Sequence, residues 1–336
     1  MKKCLLNVLI ALTGAAGLIH ASQGTVVVTA SNASPNQLLV YSTGGELMQT
    51  VATGGNGGVS GNAGGVEANG GMVAVVNFGS LSVSIFQMGS NGLQMTGLVP
   101  TISSPVSVAF GGDHLYILGT TEVESHRIVG SAVSANADGE VGLLVADGSA
   151  AQVGVVENQL IITEKSNMIE TVNLLAGGAV TGVAKEVKGI PANVNTPFGL
   201  VTRGANAYVT IAHANEISLV RSGSVLAVTN SGTQNAPCWL TLVGPYLYSS
   251  NSPSMSVSRY AVYGQQIIQD LAVAATFDGD PTDIASGAGF VAVVDGNGPS
   301  SHLSIFSVDA DGNLTLLQAA DVINSAANGV AIIPAP

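Results

Sequence analysis

Charge is scarce in this chain: 9% of its residues are Asp, Glu, Lys or Arg, and only 9 of the 336 are basic. The 21 acids set a formal net charge of −12. Such an acidic surface repels phosphate backbones and anionic lipid, so nucleic acid and membrane surfaces are poor partners. Cysteine is nearly absent too, present only as Cys4 and Cys238. Cys238, between Pro237 and Trp239, reads as a small buried side chain rather than a nucleophile. No His-x-His, His-Glu-x-x-His or cysteine cluster occurs, so no zinc site is expected. No cofactor signature occurs either. No cofactor is expected, with a divalent ion held in a channel by carboxylates and carbonyls left open.

Long apolar runs are confined to the start of the chain, although the mean hydropathy is +0.45. Lys2 and Lys3 precede an apolar stretch from Leu5 to Leu18, and Ala21 before Ser22 suits a signal peptidase. With no stop-transfer segment after it, residues 1–21 read as a secretory signal. Cys4 precedes the apolar stretch, so it is not the lipidated cysteine of a lipoprotein signal. Cleavage after Ala21 removes two lysines and no acid, taking the charge to −14, and leaves Cys238 alone, without an internal disulfide. The expected product is a secreted or periplasmic monomer of one domain, 22–336, with no membrane contact in the mature form.

What the chain has in abundance is glycine, 43 residues of it, between short apolar runs. Those runs repeat. A small residue or Pro opens a short strand, a Gly or Asn turn follows, and a second strand comes after it. Ser104-Pro105-Val106-Ser107 leads to Leu115-Tyr116-Ile117-Leu118, Thr196-Pro197-Phe198-Gly199 to Ala207-Tyr208-Val209, and Ala236-Pro237-Cys238-Trp239 to Tyr246-Leu247-Tyr248. Asp280-Pro281-Thr282-Asp283 leads in the same way to Phe290-Val291-Ala292-Val293. Anchors at 63, 105, 150, 197, 237, 281 and 327 are 42, 45, 47, 40, 44 and 46 residues apart. That period, with four strands per unit, predicts an all-β, seven-bladed β-propeller. The last anchor supplies only an innermost strand, Val330-Ala331-Ile332-Ile333, while Thr25–Thr29 and Leu38–Tyr41 supply outer strands without an inner one. One blade built from both termini closes the ring and removes open sheet edges. A left-handed β-helix has shorter, more regular rungs, and no linker divides the chain into two sandwiches.

At these residues the chain resembles the seven-bladed lactonase-like propellers, a group that includes 6-phosphogluconolactonase and carboxymuconate-cyclising enzymes, and its secreted bacterial members above all. The stretches that carry the resemblance are 162–171 (Ile-Thr-Glu-Lys-Ser-Asn-Met-Ile-Glu-Thr), 196–199, 236–239 and 309–317 (Asp-Ala-Asp-Gly-Asn-Leu-Thr-Leu-Leu). The resemblance implies a YVTN-like repeat, a hydrolase of carbohydrate metabolism, and histidine, arginine and glutamate around the channel. The histidines available after cleavage are His114, His126, His213 and His302. No paired histidine motif stands at the matching positions, and His114 and Arg203 fall in turns expected on the opposite face.

Counting from each anchor locates the candidate site. Position +2 gives Gly65, Ser107, Gln152, Gly199, Trp239, Asp283 and Gly329; position +14 gives Asn77, Gly119, Glu164, Ile211, Asn251 and Asp295, with Lys165 and His213 just beyond. These are expected on one face, at the channel mouth. A hydrolytic lactonase needs a base for water and a donor for the oxyanion. Glu164 or Asp295 suits the base and Lys165 or His213 the donor, with Gln152, Trp239, Asp283, Asn77 and Asn251 as ligand contacts. The structural alternative is that Asn and Asp at strand ends cap turns, and that Glu164 and Lys165 form a surface ion pair. Asp309–Asn313 lacks the later glutamate of a calcium loop and reads as a hairpin turn. The glycine run 54–65 lacks a Lys-Ser/Thr ending and reads as a flexible loop, not a phosphate cradle. No nucleophile-elbow motif occurs. Two readings stay open: a lactonase-like propeller taking a small sugar-derived ligand, and a non-catalytic propeller that holds a protein or glycan.

Overall fold

The computed structural model describes residues 24–335 apart from 191–195, 298–299 and 323–325. The signal segment and Cys4 lie outside the described residues. Seven sheets of antiparallel strands form the predicted propeller. Blade one spans 66–100, blade two 107–142, blade three 150–186, blade four 197–230, blade five 237–276 and blade six 280–322. Each inner strand contacts the inner strand of the next blade, from Val66–Asn69 around to Val330–Ile333 and back.

Blade seven closes the ring as expected. Val330–Ile333 is its inner strand and pairs antiparallel with Val26–Ala30, Val26 opposite Ile333 and Thr29 opposite Val330. Gln37–Ser42 and Leu47–Ala52 complete the sheet. Blade two departs from the template. Its outer edge is split into Ala132–Val133 and Gly139–Gly142, both pairing with Glu122–Val129.

Blades are held together by second-strand side chains that reach the next blade. Tyr116, Tyr208 and Tyr248 all stand eleven residues past an anchor and are fully buried. The Tyr116 hydroxyl donates to the Gly178 carbonyl of blade three at 2.8 Å, and Tyr248 to the Gly312 carbonyl of blade six at 2.6 Å. A ring that buries its face while its one polar atom finds a carbonyl suits a sheet-on-sheet core. Two residues further along, Thr163 and Thr210 donate to the Phe198 and Cys238 carbonyls of the following inner strands, at 2.5 and 2.8 Å.

Those carbonyls belong to a recurring irregularity. In blades three to six the inner strand slips register just after its start, between Ala150 and Gln152, Pro197 and Leu200, Pro237 and Leu240, and Pro281 and Asp283. A bulge bends a strand and re-aims a side chain. Here the re-aimed positions are Gln152, Gly199, Trp239 and Asp283. Gly199 has no alternative: a Cβ there would lie 2.1 Å from the Cys238 carbonyl oxygen. Asp309 accepts from the Asp311 and Asn313 amides, as a hairpin turn should.

Candidate functional site: the central channel

With "upper" denoting the end where inner strands begin, the channel is closed above and open below. Trp239, projected inward by its bulge, is 6% exposed and donates its indole N–H to the Asn62 carbonyl at 2.8 Å. Phe198 meets its ring edge-on at a 5.2 Å centroid distance. Asn62 donates to the Val106 carbonyl at 2.6 Å and accepts from Asn328 at 3.0 Å. The glycine run 54–65, expected as a flexible loop, is therefore a packed cap. Asn32 binds it through the Gly58 and Val59 amides, and Val59 is buried.

Below the cap lies a polar cavity of about 410 Å³, reaching from Gly64, Trp239 and Asp283 down to the exposed Arg203. A second cleft of about 500 Å³ shares Glu67, Gln152 and Thr202 with it and runs to the exposed strand end Asn69 and the exposed turn residue Gly112. Two carboxyl groups face this space. Asp283 is 4% exposed and accepts the Ile284 amide at 2.8 Å and the Val330 amide at 3.2 Å. Burial nonetheless pushes its pKa up to about 7, the backbone donors only partly opposing it. Glu67 is pushed up to about 8, first by burial and then by the charge of Asp283. It keeps some solvent contact, which the clefts it lines provide. Gln152 has its carbonyl oxygen held by the Leu200 amide at 2.5 Å, and its amide nitrogen lies beside Gly64. Lower down, Thr241 donates to Ser286 at 2.7 Å, and Ser286 to the Leu242 carbonyl at 3.0 Å.

The residues expected at one mouth thus divide into two groups. Gln152, Trp239 and Asp283 line the channel. Position +14 is absent from that lining; in blades one, five and six it is a polar strand end tied to a side chain seven residues on. Asn77 donates to Ser84 at 2.7 Å and accepts from Thr53 at 2.7 Å. Asn251 repeats the motif, donating to Ser256 and Ser258 at 3.1 and 2.9 Å. In blade six Asp295 meets His302 at 2.8 Å instead, and the contact raises the His302 pKa. Burial raises the Asp295 pKa, against the pull of His302. Glu164 is fully buried beside Glu170. It makes no surface ion pair with Lys165, whose ammonium donates instead to the Gly61 and Ala150 carbonyls at 2.6 and 3.2 Å. His213 is exposed and meets Thr196 at 2.8 Å. Cys238 is a buried free thiol, pushed up to about 12 chiefly by burial.

Sequence reasoning missed Glu67. It stands at +4, where the other inner strands carry Ala109, Gly154, Val201, Thr241, Ala285 and Ala331. An acid in a ring of small and neutral residues was the available signal, since side chains two apart on a strand share a face.

No family model matches the chain, and no curated protein matches it. Solved structures do match over the whole propeller. A protein of unknown function from Desulfotomaculum acetoxidans superposes with a TM-score of 0.69 at 13% identity, covering 94% of this chain and 100% of that one. A provisional 6-phosphogluconolactonase from Bacteroides fragilis gives 0.67 at 16% identity, covering 94% and 99%. One of the same description from Bacteroides uniformis gives 0.66 at 14%, covering 93% and 100%. At these identities the likeness establishes the class: a seven-bladed propeller with the fold of lactonase-like proteins.

Proposed function

We propose that the protein binds a small, uncharged, polyhydroxylated molecule in the lower channel, and that Glu67 and Asp283 hydrolyse it when it is a lactone. The observation that carries this reading is the pair of facing carboxyls, tuned by burial to about 7 and about 8 inside one polar cavity. Groups that titrate near the working pH suit general acid–base chemistry. At neutral pH Glu67 keeps its proton and is the acid. Asp283, partly ionised and fixed by two backbone amides, is the base. It takes a proton from water as the oxygen adds to the lactone carbonyl. When the adduct collapses, the ring C–O bond breaks and Glu67 protonates the departing alkoxide. One water is consumed and one hydroxy acid formed, and the proton on Asp283 returns to Glu67 through solvent. Gln152 is placed to donate to the oxyanion.

The charge of the site selects the ligand. Two acids face the cavity, and Arg203, the one base lining it among the described residues, stands at its lower rim. A phosphate carried up to the carboxyl pair would find no cation there to offset its desolvation, so the substrate class is the free sugar or aliphatic lactone. We further propose that the secretory signal expected at residues 1–21 takes this activity, in a monomer, outside the cytoplasm.

The test is a hydrolysis panel of matched phosphorylated and unphosphorylated lactones, run on the wild type, Glu67→Gln and Asp283→Asn. Turnover of the neutral lactones alone, lost in both variants, supports the reading. Saturable binding without turnover makes the protein a binding propeller. Turnover equal in all three proteins removes the channel pair from the mechanism.

A further inference from the structure

The open space of the channel does not end at the carboxyl pair. The second cleft, which shares Glu67, Gln152 and Thr202 with the cavity under the cap, leads outward between blades two and three. A third cleft, of about 370 Å³, continues it. These two have Gly111, Gly112 and Val155 in common, and the third reaches Arg127 and the turn at Leu175. Together the three make one trough along the lower face, from Trp239 near the axis to Leu175 in the outer turn of blade three. A Cβ built on Gly112 or Gly177 would meet nothing within 4 Å, so the trough is clear beside both turns. Toward blades four and five the way out differs, because Arg203 crosses there and donates to the Gly244 carbonyl.

The lining changes along this path. Polar side chains gather at the axial end, in Glu67, Gln152 and Thr202, with Asn69 at the strand end below. Further out stand Phe110, Val155 and Leu174, half-buried and packed on the core of blades one to three, and then Leu175, 55% exposed. The charges at the outer end are Arg127, held by Asp113 at 3.1 Å, and Glu157, exposed in its turn. Aliphatic carbon laid on such surface leaves water favourably, whereas a sugar hydroxyl there gives up water for few partners. We propose that the substrate is a lactone with an unbranched alkyl tail, its ring at Glu67 and Asp283 and its tail along the trough over Phe110 and Val155 toward Leu175. This rests on the proposed lactone chemistry of the channel and narrows its substrate to the aliphatic class. Affinity should then rise about two- to fourfold for each methylene that the trough covers.

The test is a homologous series of γ-lactones, with side chains from methyl to heptyl, followed by both binding and hydrolysis. Trp239, the sole tryptophan of the chain, reports occupancy of the channel by its fluorescence. The wild type should show a stepwise gain with tail length, in Kd and in kcat/KM. Leu175→Ser changes a side chain already in solvent and so should fold; it should remove the gain for the longest tails and leave the methyl and ethyl lactones unchanged. Val155→Ser, nearer the axis, should remove the gain from shorter tails onward. A stepwise gain in Kd without turnover supports the trough while removing Glu67 and Asp283 from catalysis. Turnover independent of tail length, or a gain equal in the wild type and both variants, overturns the trough and leaves the carboxyl pair standing. Failure of every member to bind overturns both.

Discussion

Two acid pairs stand some hundred residues apart in the chain, Glu67 and Asp283 in one and Glu164 in the other driven upward by burial, yet their surroundings give them different chemistry. Glu67 and Asp283 face a cavity open at its lower end, while Glu164 and Glu170 are sealed between strands. Asp283 is held by backbone amides and reachable by a small molecule, so its perturbation is usable for proton transfer. Glu164 is raised first by burial and then by Glu170, and it is wholly buried and lines neither channel cleft. A perturbed carboxyl marks a reactive site only where the fold also leaves room for a substrate.

The comparison can be broken by substitution. The largest effect is expected from Asp283→Asn, a loss of roughly 10²–10⁴-fold in kcat/KM on a neutral lactone, measured by hydrolysis kinetics. Next is Trp239→Ala, which removes the channel's upper wall. Denaturant unfolding should register a loss of about 3–5 kcal/mol, and the pKa of Glu67 should fall as water enters. Gly199→Ala forces a Cβ against the Cys238 carbonyl and should cost about 1–3 kcal/mol in the same assay, through displacement of the bulge that carries Trp239. Tyr248→Phe, which only unties blade five from Gly312, should cost about 1 kcal/mol.

The pH dependence has a definite sign. Both channel carboxyls have folded pKa values above their ordinary ones, so their contribution to stability is fully present below about pH 4. It is lost as pH rises through about 7 for Asp283 and about 8 for Glu67. Unfolding free energy measured between pH 4 and 9 should show that decline, and Glu67→Gln should flatten its upper part. The rate profile should be bell-shaped, with limbs near 7 and 8.

Much of this architecture was legible in the residues. The anchor spacing fixed seven blades, and the unmatched terminal strands fixed how the ring closes. The +2 count found Gln152, Trp239 and Asp283, although the bulges that aim them inward left no mark a period-two reading detects. The cap was not legible, because glycine composition does not disclose that Asn32, Trp239 and Asn328 will bind the run 54–65. Position +14 looked like a site because Asn77, Asn251 and Asp295 are polar strand ends. Only their partners, Ser84, Ser258 and His302, seven residues on, show the tie across the turn. Glu67 escaped because its chemistry depends on Asp283, more than two hundred residues away.

The account turns on the channel pair, and carbon-13 NMR titration of the side-chain carboxyls tests it without a known substrate. With Glu67→Gln and Asp283→Asn to assign the signals, the account predicts two carboxyls titrating near 8 and near 7, the Glu67 value falling when Asp283 is replaced. Titration of both near pH 4, independent of each other, would contradict it.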